Sequence, residues 1–234
     1  MTKTAFITGS GKGIGKAISE LLLLNGYQVY GYSRSNSINH THFSFTKIDL
    51  TDLEKMQKLS FPKVKGEVLL INNAGTIGEI KPLNLKSEEA IINEYNLNII
   101  APTLLCKKFL ESFPTQEKLI LNISSGAANK SIPSWNTYCS SKAALDRVSD
   151  VIAEEDHSNL KIFSVHPGLV DTNMQSEIRN SDPKNFPLLS KFTDYFRKNE
   201  LENADIVAQK LLHIFQNSNK FKQNILSIRD VSIN

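Results

Sequence analysis

The chain has 234 residues, 40% of them hydrophobic, which suffices for a substantial core within the span that one α/β domain commonly occupies. Its 27 basic and 24 acidic residues leave a formal charge of +3, too small and too dispersed for a nucleic-acid footprint. The two cysteines, Cys106 and Cys139, show neither metal-ligand spacing nor a disulfide framework.

Short apolar runs alternate with longer amphipathic ones, the rhythm of strand and helix units that fold into a parallel sheet covered on both faces. No apolar run reaches bilayer length and no leader-like segment precedes the first strand, so a cytoplasmic protein with free thiols, no metal and no membrane partner is expected.

The first strand is predicted over Thr4–Thr8 and runs into Gly9-Ser10-Gly11-Lys12-Gly13-Ile14-Gly15, with a helix over Ile14–Asn25. Glycines here allow a tight turn, let the backbone approach a pyrophosphate and leave helix N-terminal amides facing the anion. A second strand over Gln28–Ser33 ends in Ser33-Arg34, where an acidic residue would normally bind the ribose hydroxyls and repel a 2′-phosphate. Arg34 offers a bidentate fork instead, and Lys12 adds a second charge. Singly each reads as a solvated surface cation; together, with the carboxylate missing, they favour NADPH over NADH.

A third strand over Phe43–Ile48 leads through Asp49 and Leu50 to a helix over Asp52–Leu59. The fourth, Val68–Ile71, is followed by Asn72-Asn73-Ala74-Gly75, by itself a polar turn, and then by one long helix over Ser87–Phe113 that carries Asn98 near its middle. The fifth strand, Lys118–Ile123, delivers Ser124 and Ser125 to the carboxyl edge, where open parallel sheets bind ligands. A helix over Trp135–Glu155 then places Tyr138 and Lys142, four residues apart, on one face. After a sixth strand, Lys161–His166, the pair Pro167-Gly168 marks a turn. Residues 171–200 hold Pro183, Pro187 and scattered aromatics and read as a lid-like excursion with short helices. A helix over Ala204–Gln216 and a seventh strand over Ile225–Ile228 complete the pattern.

Tyr-x-x-x-Lys alone is common, but Ser125 thirteen residues ahead of it at a strand end makes the combination specific. A carbonyl reduced by hydride leaves an alkoxide that needs a proton, while a free tyrosine has a pKa of about 10. A neighbouring Lys142 ammonium would lower that value and fit Tyr138 for acid–base work, and Ser125 would polarise the carbonyl oxygen.

These motifs, Thr8-Gly9-x-x-x-Gly13-x-Gly15, Asn72–Gly75, Ser125 with Tyr138 and Lys142, and Pro167-Gly168-Leu169-Val170-Asp171-Thr172, resemble those of the classical short-chain dehydrogenase/reductase family over most of the chain. The resemblance implies an α/β doubly wound, parallel seven-stranded sheet, Rossmann-like, with helices on both faces and a single domain over 1–234. It implies NADP(H) as cofactor, cradled by Gly9, Ser10, Lys12, Gly13, Ile14 and Gly15, with Ser33 and Arg34 at the 2′-phosphate. Asp49 and Leu50 would meet the adenine, although Asp49 serves equally well as a cap for the helix near Asp52. Asn73, Ala74 and Gly75 would line the cofactor, and Pro167, Gly168 and Val170 the nicotinamide, with Thr172 at its carboxamide. Tyr138, Lys142, Ser125 and Asn98 would form the catalytic set, Lys142 holding the nicotinamide ribose and Asn98 a water that relays protons to Lys142. Family members often dimerise through the helices after the fourth and fifth strands, so a homodimer is expected.

Within the family, Ser124-Ser125-Gly126-Ala127-Ala128, Trp135, and Asp171-Thr172-Asn173-Met174-Gln175 followed by Ile178-Arg179 resemble the sepiapterin reductase and benzil reductase group, as does the order of Phe186, Phe192 and Leu201. The pterin-binding Asp of sepiapterin reductase falls near Ser227, with Asp230 three residues on, which favours a vicinal dicarbonyl or aromatic ketone over a pterin. Trp135, Met174 and Phe186 would form its apolar wall. The rival readings are a 3-oxoacyl-(acyl-carrier-protein) reductase, an NADP-dependent alcohol dehydrogenase and a non-catalytic NADPH-binding sensor.

Overall fold

Strands β1 (Lys3–Thr8), β4 (Glu67–Asn72) and β5 (Lys118–Ile123) are almost wholly buried along their length, as continuous apolar runs must be at the centre of a sheet covered on both faces. A computed structural model, which describes residues 2–233, places them in a seven-stranded, fully parallel sheet of order β3-β2-β1-β4-β5-β6-β7. The other strands are β2 (Gln28–Ser33), β3 (Phe43–Lys47), β6 (Leu160–His166) and β7 (Ile225–Ser227). Strand order reverses between β1 and β4, and the carboxyl ends of these strands open the crevice where such sheets bind ligands. This is the doubly wound, Rossmann-like α/β fold expected.

Alternation along the strands sends Ala5 and Ile7 to one face and Phe6 to the other. The first face is covered by helices α1 (Gly13–Leu24) and α8 (Ala204–Gln216) through Ile18, Leu22, Val207 and Leu211. The second is covered by α2 (Leu53–Lys58) and α4 (Ala101–Ser112) through Met56, Leu105 and Phe109, with Phe6 packed edge-on against Phe61 at 4.8 Å. Burying one such ring contributes about 1.5–3 kcal/mol. Helix α5 (Asn136–Glu154) buries Tyr138, Lys142, Leu145 and Ser149, one stripe of three- and four-residue spacing. A third cluster, Trp135, Ile178, Phe186 and Phe192, joins the start of α5 to helices α6 (Asn173–Arg179) and α7 (Leu189–Arg197), so the 171–200 excursion does contain short helices.

The predicted helix over Ser87–Phe113 runs without a gap but is not regular. Helix α3 (Glu88–Tyr95), capped by Ser87, passes through a π-helical segment over Asn96–Ile100 into α4. Pro102 explains the bulge: it has no N–H for the carbonyl of Asn98, and its ring crowds that carbonyl, so the regular ladder must slip. The slip turns the Asn98 side chain toward the loop after β4. There its Nδ2 donates to Thr76 O at 2.9 Å and its Oδ1 accepts from Thr76 N at 2.9 Å.

Candidate functional site

The turn between β1 and α1 is built by close approach. A Cβ on Gly15 would lie 2.2 Å from Gly9 O, and one on Gly11 would lie 2.2 Å from Ser35 O. Gly9 and Gly13 take positive φ values of 67° and 54°. Helix α1 follows with no side-chain cap at Lys12, so its first turn, which lines the crevice at Gly13 and Ile14, begins without a side-chain acceptor for its amides. The Asn72-Asn73 motif fastens this turn. Asn73 Nδ2 donates to Thr8 O at 3.0 Å, while Thr8 Oγ1 accepts from the backbone of both Asn73 and Ala74 at 3.0 Å. Asn72 reaches across to Asn122 at 2.8 Å, and Asn122 to Ser149 of α5 at 2.9 Å, which couples the first half of the sheet to α5.

One cavity of about 950 Å³ runs over these carboxyl ends. Of the residues anticipated at the cofactor, Gly9, Lys12, Gly13, Ile14, Ser33, Arg34, Asp49, Leu50, Asn73, Ala74, Gly75, Pro167, Gly168, Val170 and Thr172 line it, together with Ser125, Trp135, Tyr138, Lys142 and Met174. Ser10, Gly15 and Asn98 stand behind the wall instead: Ser10 is fully buried, Gly15 packs on Gly9 and Asn73, and Asn98 is engaged with Thr76. Asp49 does not cap α2, since Asp52 does, accepting from Lys55 N at 3.1 Å. Asp49 accepts from the backbone and hydroxyl of Thr51, which, with Arg34 nearby, holds its carboxyl below the usual range. Phe186 does not line the cavity either. It stacks behind Trp135 at 5.6 Å, and Ile77, Ile178, Leu188, Phe192 and Tyr195 supply the apolar wall with Trp135 and Met174.

Ser125 lies two residues past the end of β5, and the first turn of α5 brings Tyr138 to it. One turn further, Lys142 Nζ donates to Ile123 O at 2.8 Å and lies 5.8 Å from the Tyr138 ring centroid. A Cβ on Gly75 would stand 3.3 Å from Asn98 Oδ1 and 3.5 Å from Lys142 Nζ, so Gly75 lies against both side-chain ends. Burial pushes Lys142 down to about 8, against the opposing pull of Asp146. For Tyr138, burial raises the phenol pKa and the hydrogen bond from Ser125 only partly offsets it. The expected lowering by the Lys142 ammonium is not seen: its Nζ is turned to Ile123 O, 5.8 Å from the ring centroid, and burial of the phenol sets the direction.

The chain matches the short chain dehydrogenase family over residues 3–183. It belongs to the short-chain dehydrogenase/reductase family. Among its relatives, a benzil reductase ((S)-benzoin forming) from Bacillus subtilis is 33% identical over 224 residues, covering 90% of this chain and 92% of that protein. A sepiapterin reductase from Bos taurus is 36% identical over 165 residues, covering 67% of this chain and 60% of that protein. A solved short chain dehydrogenase/reductase from Saccharomyces cerevisiae superposes with a TM-score of 0.84 at 26% identity, covering 97% of this chain and 96% of that one. The chain is therefore an oxidoreductase of this family, close to the benzil and sepiapterin reductases, in a family that uses nicotinamide cofactors.

Two polar clusters next to the site were not anticipated from sequence. In one, Asp146 Oδ1 accepts from Ser164 Oγ at 2.6 Å and Asp146 Oδ2 meets His166 Nε2 at 2.8 Å, with His166 at the cavity wall. The four-residue step from Lys142 to Asp146 was the available signal. In the other, buried Lys86 Nζ bridges Glu94 Oε2 at 2.5 Å and Thr137 Oγ1 at 2.6 Å, pinning the loop after β4 beside Tyr138. No local pattern marks that contact, which spans 51 positions. Among the described residues, no helix is long and apolar enough to cross a membrane, and no group of three or more His, Cys, Asp or Glu is placed to hold a metal.

Proposed function

We propose that this chain is an NADPH-dependent carbonyl reductase acting on vicinal dicarbonyls or aromatic ketones, the chemistry named for its benzil reductase relatives. One observation carries the reading: a single cavity is lined by the glycine turn, by Ser125, Tyr138 and Lys142, and by an aromatic wall of Trp135, Phe192 and Tyr195.

The residues fit a dinucleotide phosphate. The uncapped start of α1 offers backbone amides to the pyrophosphate, and Lys12 and Arg34 offer charge where β2 ends without a carboxylate. Asp49 is the acidic group in that part of the wall, engaged by Thr51 and near enough to Arg34 for the guanidinium to help lower its pKa. When bound, the dihydronicotinamide supplies the hydride for the carbonyl carbon. Ser125 hydrogen-bonds the carbonyl oxygen and aligns it with the phenol of Tyr138. Because burial raises the Tyr138 pKa, the phenol is protonated near neutral pH and ready to donate as the oxygen gains charge. Lys142, anchored on Ile123 O, holds the ribose and stabilises the phenolate left behind. Gly75 lies beside the lysine end, and Asn98 braces the loop after β4 through Thr76.

Ser227 and Arg229 line the cavity at the end of β7, whereas Asp230 is exposed and outside the wall. The carboxylate that would read the guanidine-like edge of a pterin is thus missing at that place, which supports a dicarbonyl over a pterin. The test is NADPH oxidation, followed at the nicotinamide band, with benzil, simple diketones, sepiapterin and a 3-oxoacyl thioester. Benzil should turn over fastest, and Tyr138→Phe should lose at least about 100-fold while binding NADPH normally. NADPH binding without turnover of any compound would leave a sensor, and retained turnover in Tyr138→Phe would remove the acid assignment.

A further inference from the structure

Lys142 is buried at the cavity wall, and among the described residues its ammonium has one hydrogen-bond partner, the backbone carbonyl of Ile123. A cation so placed loses its proton easily unless a counter-charge sits close by. The side chain one helical turn on is Asp146, itself only 5% exposed. Its two oxygens are held on both sides by β6, with Ser164 Oγ at 2.6 Å and His166 Nε2 at 2.8 Å. The hydrogen bonds from His166 and Ser164 keep Asp146 below the usual carboxylate range despite burial. The carboxylate is therefore an acceptor only, and His166 Nε2 carries the proton between them. His166 also lines the cavity, so the pair connects the site wall to α5 one turn beyond Lys142.

We infer that Asp146, clamped by His166 and Ser164 one turn along α5, is the positioning residue whose charge keeps Lys142 protonated. This rests on the reading of Lys142 given above. The neighbourhood leaves no rival counter-charge. Glu94 is engaged with Lys86 and Thr137 near the start of α5, Asp150 pairs with Arg147 at 3.6 Å on the outer side, and Arg229 beyond β7 is a cation. From β5 comes Ser124, which donates to Lys142 O at 3.2 Å, and from β7 Ser227, opposite His166 in register. None of these supplies a negative charge to Lys142.

The experiment is a pH titration of Lys142 by NMR of lysine labelled at the ε carbon, in the full chain, assigned by the signal missing from Lys142→Met. Wild type should titrate near pH 8. Asp146→Asn, nearly isosteric, should titrate at least about 0.5 pH unit lower, since the charge that favours the ammonium is gone. Asp146→Ser is the second variant should Asn not fold, with a hydroxyl that still meets Ser164 and His166 in a smaller volume. His166→Gln keeps a donor to Asp146 and should leave the midpoint in place. A midpoint unmoved in both Asp146 variants, or moved as far by His166→Gln as by Asp146→Asn, would overturn the assignment. In turnover, the same half-unit shift appears as a roughly threefold lower kcat on the alkaline limb, with KM for the carbonyl compound unchanged. A wild type without turnover would sink the functional reading and leave the titration to decide the pair.

Discussion

Replacing Gly15 by alanine tests how the cofactor turn is built. In isolation the change favours the protein, because alanine in a helix is better than glycine by about 1 kcal/mol. The site reverses the sign. The added Cβ would stand 2.2 Å from Gly9 O, 2.4 Å from Asn73 Nδ2 and 2.8 Å from Gly9 C, and two of these three are backbone atoms that cannot rotate away. Overpacking of that kind costs about 1–3 kcal/mol. Moving Gly9 also strains the bonds from Asn73 Nδ2 to Thr8 O and Gly9 O, each worth about 1 kcal/mol. The net expectation is a loss of about 1–4 kcal/mol, with a Tm lower by about 2–4 °C for each kcal/mol in a chain of this size. NADPH affinity should fall at least tenfold, since the displaced turn no longer presents the α1 amides. Urea unfolding and NADPH fluorescence titration measure the two effects. Gly126→Ala is the control, because nothing lies within 4 Å of its Cβ and its stability should not fall. A Gly15→Ala protein as stable as wild type and binding NADPH equally well would refute the close-approach argument.

Arg34→Asp should exchange cofactor preference, weakening NADPH at least tenfold and improving NADH; kcat/KM for both cofactors shows it, and an unchanged ratio means the 2′-phosphate is read elsewhere. Lys142 drops to about 8 on folding, so between pH 8 and 10 the folded chain binds fewer protons than the unfolded one. Stability relative to Lys142→Met should therefore rise with pH across that window, by up to about 3 kcal/mol in all, and parallel urea curves for the two proteins would contradict it. Lys86→Met leaves Glu94 buried without its cation and should cost about 3–5 kcal/mol, while Lys86→Met with Glu94→Leu should recover most of it. A double-mutant cycle by thermal unfolding reads that coupling, and a Lys86→Met protein as stable as wild type would remove the ion pair from the account.

Local chemistry made much of this protein legible in sequence. Periodicity alone placed strand β5 at Lys118–Ile123 and helix α5 within one residue of its observed start, because a buried strand must be apolar throughout and a half-buried helix must repeat every three or four residues. The glycine turn, Arg34 in place of a carboxylate, and the step from Tyr138 to Lys142 are likewise short-range patterns whose meaning depends on a few neighbouring dihedrals. Tertiary structure decided the rest. Pro102 and Thr76 together placed a π-helical bulge at Asn98 in the long helix, and the stacking of Phe186 behind Trp135 withdrew it from the cavity wall. The Tyr138 pKa rises rather than falls because it depends on how completely the surrounding chain excludes water. Asp146, Ser164 and His166 meet only when β6 is laid beside α5, and no spacing along the chain could show that contact.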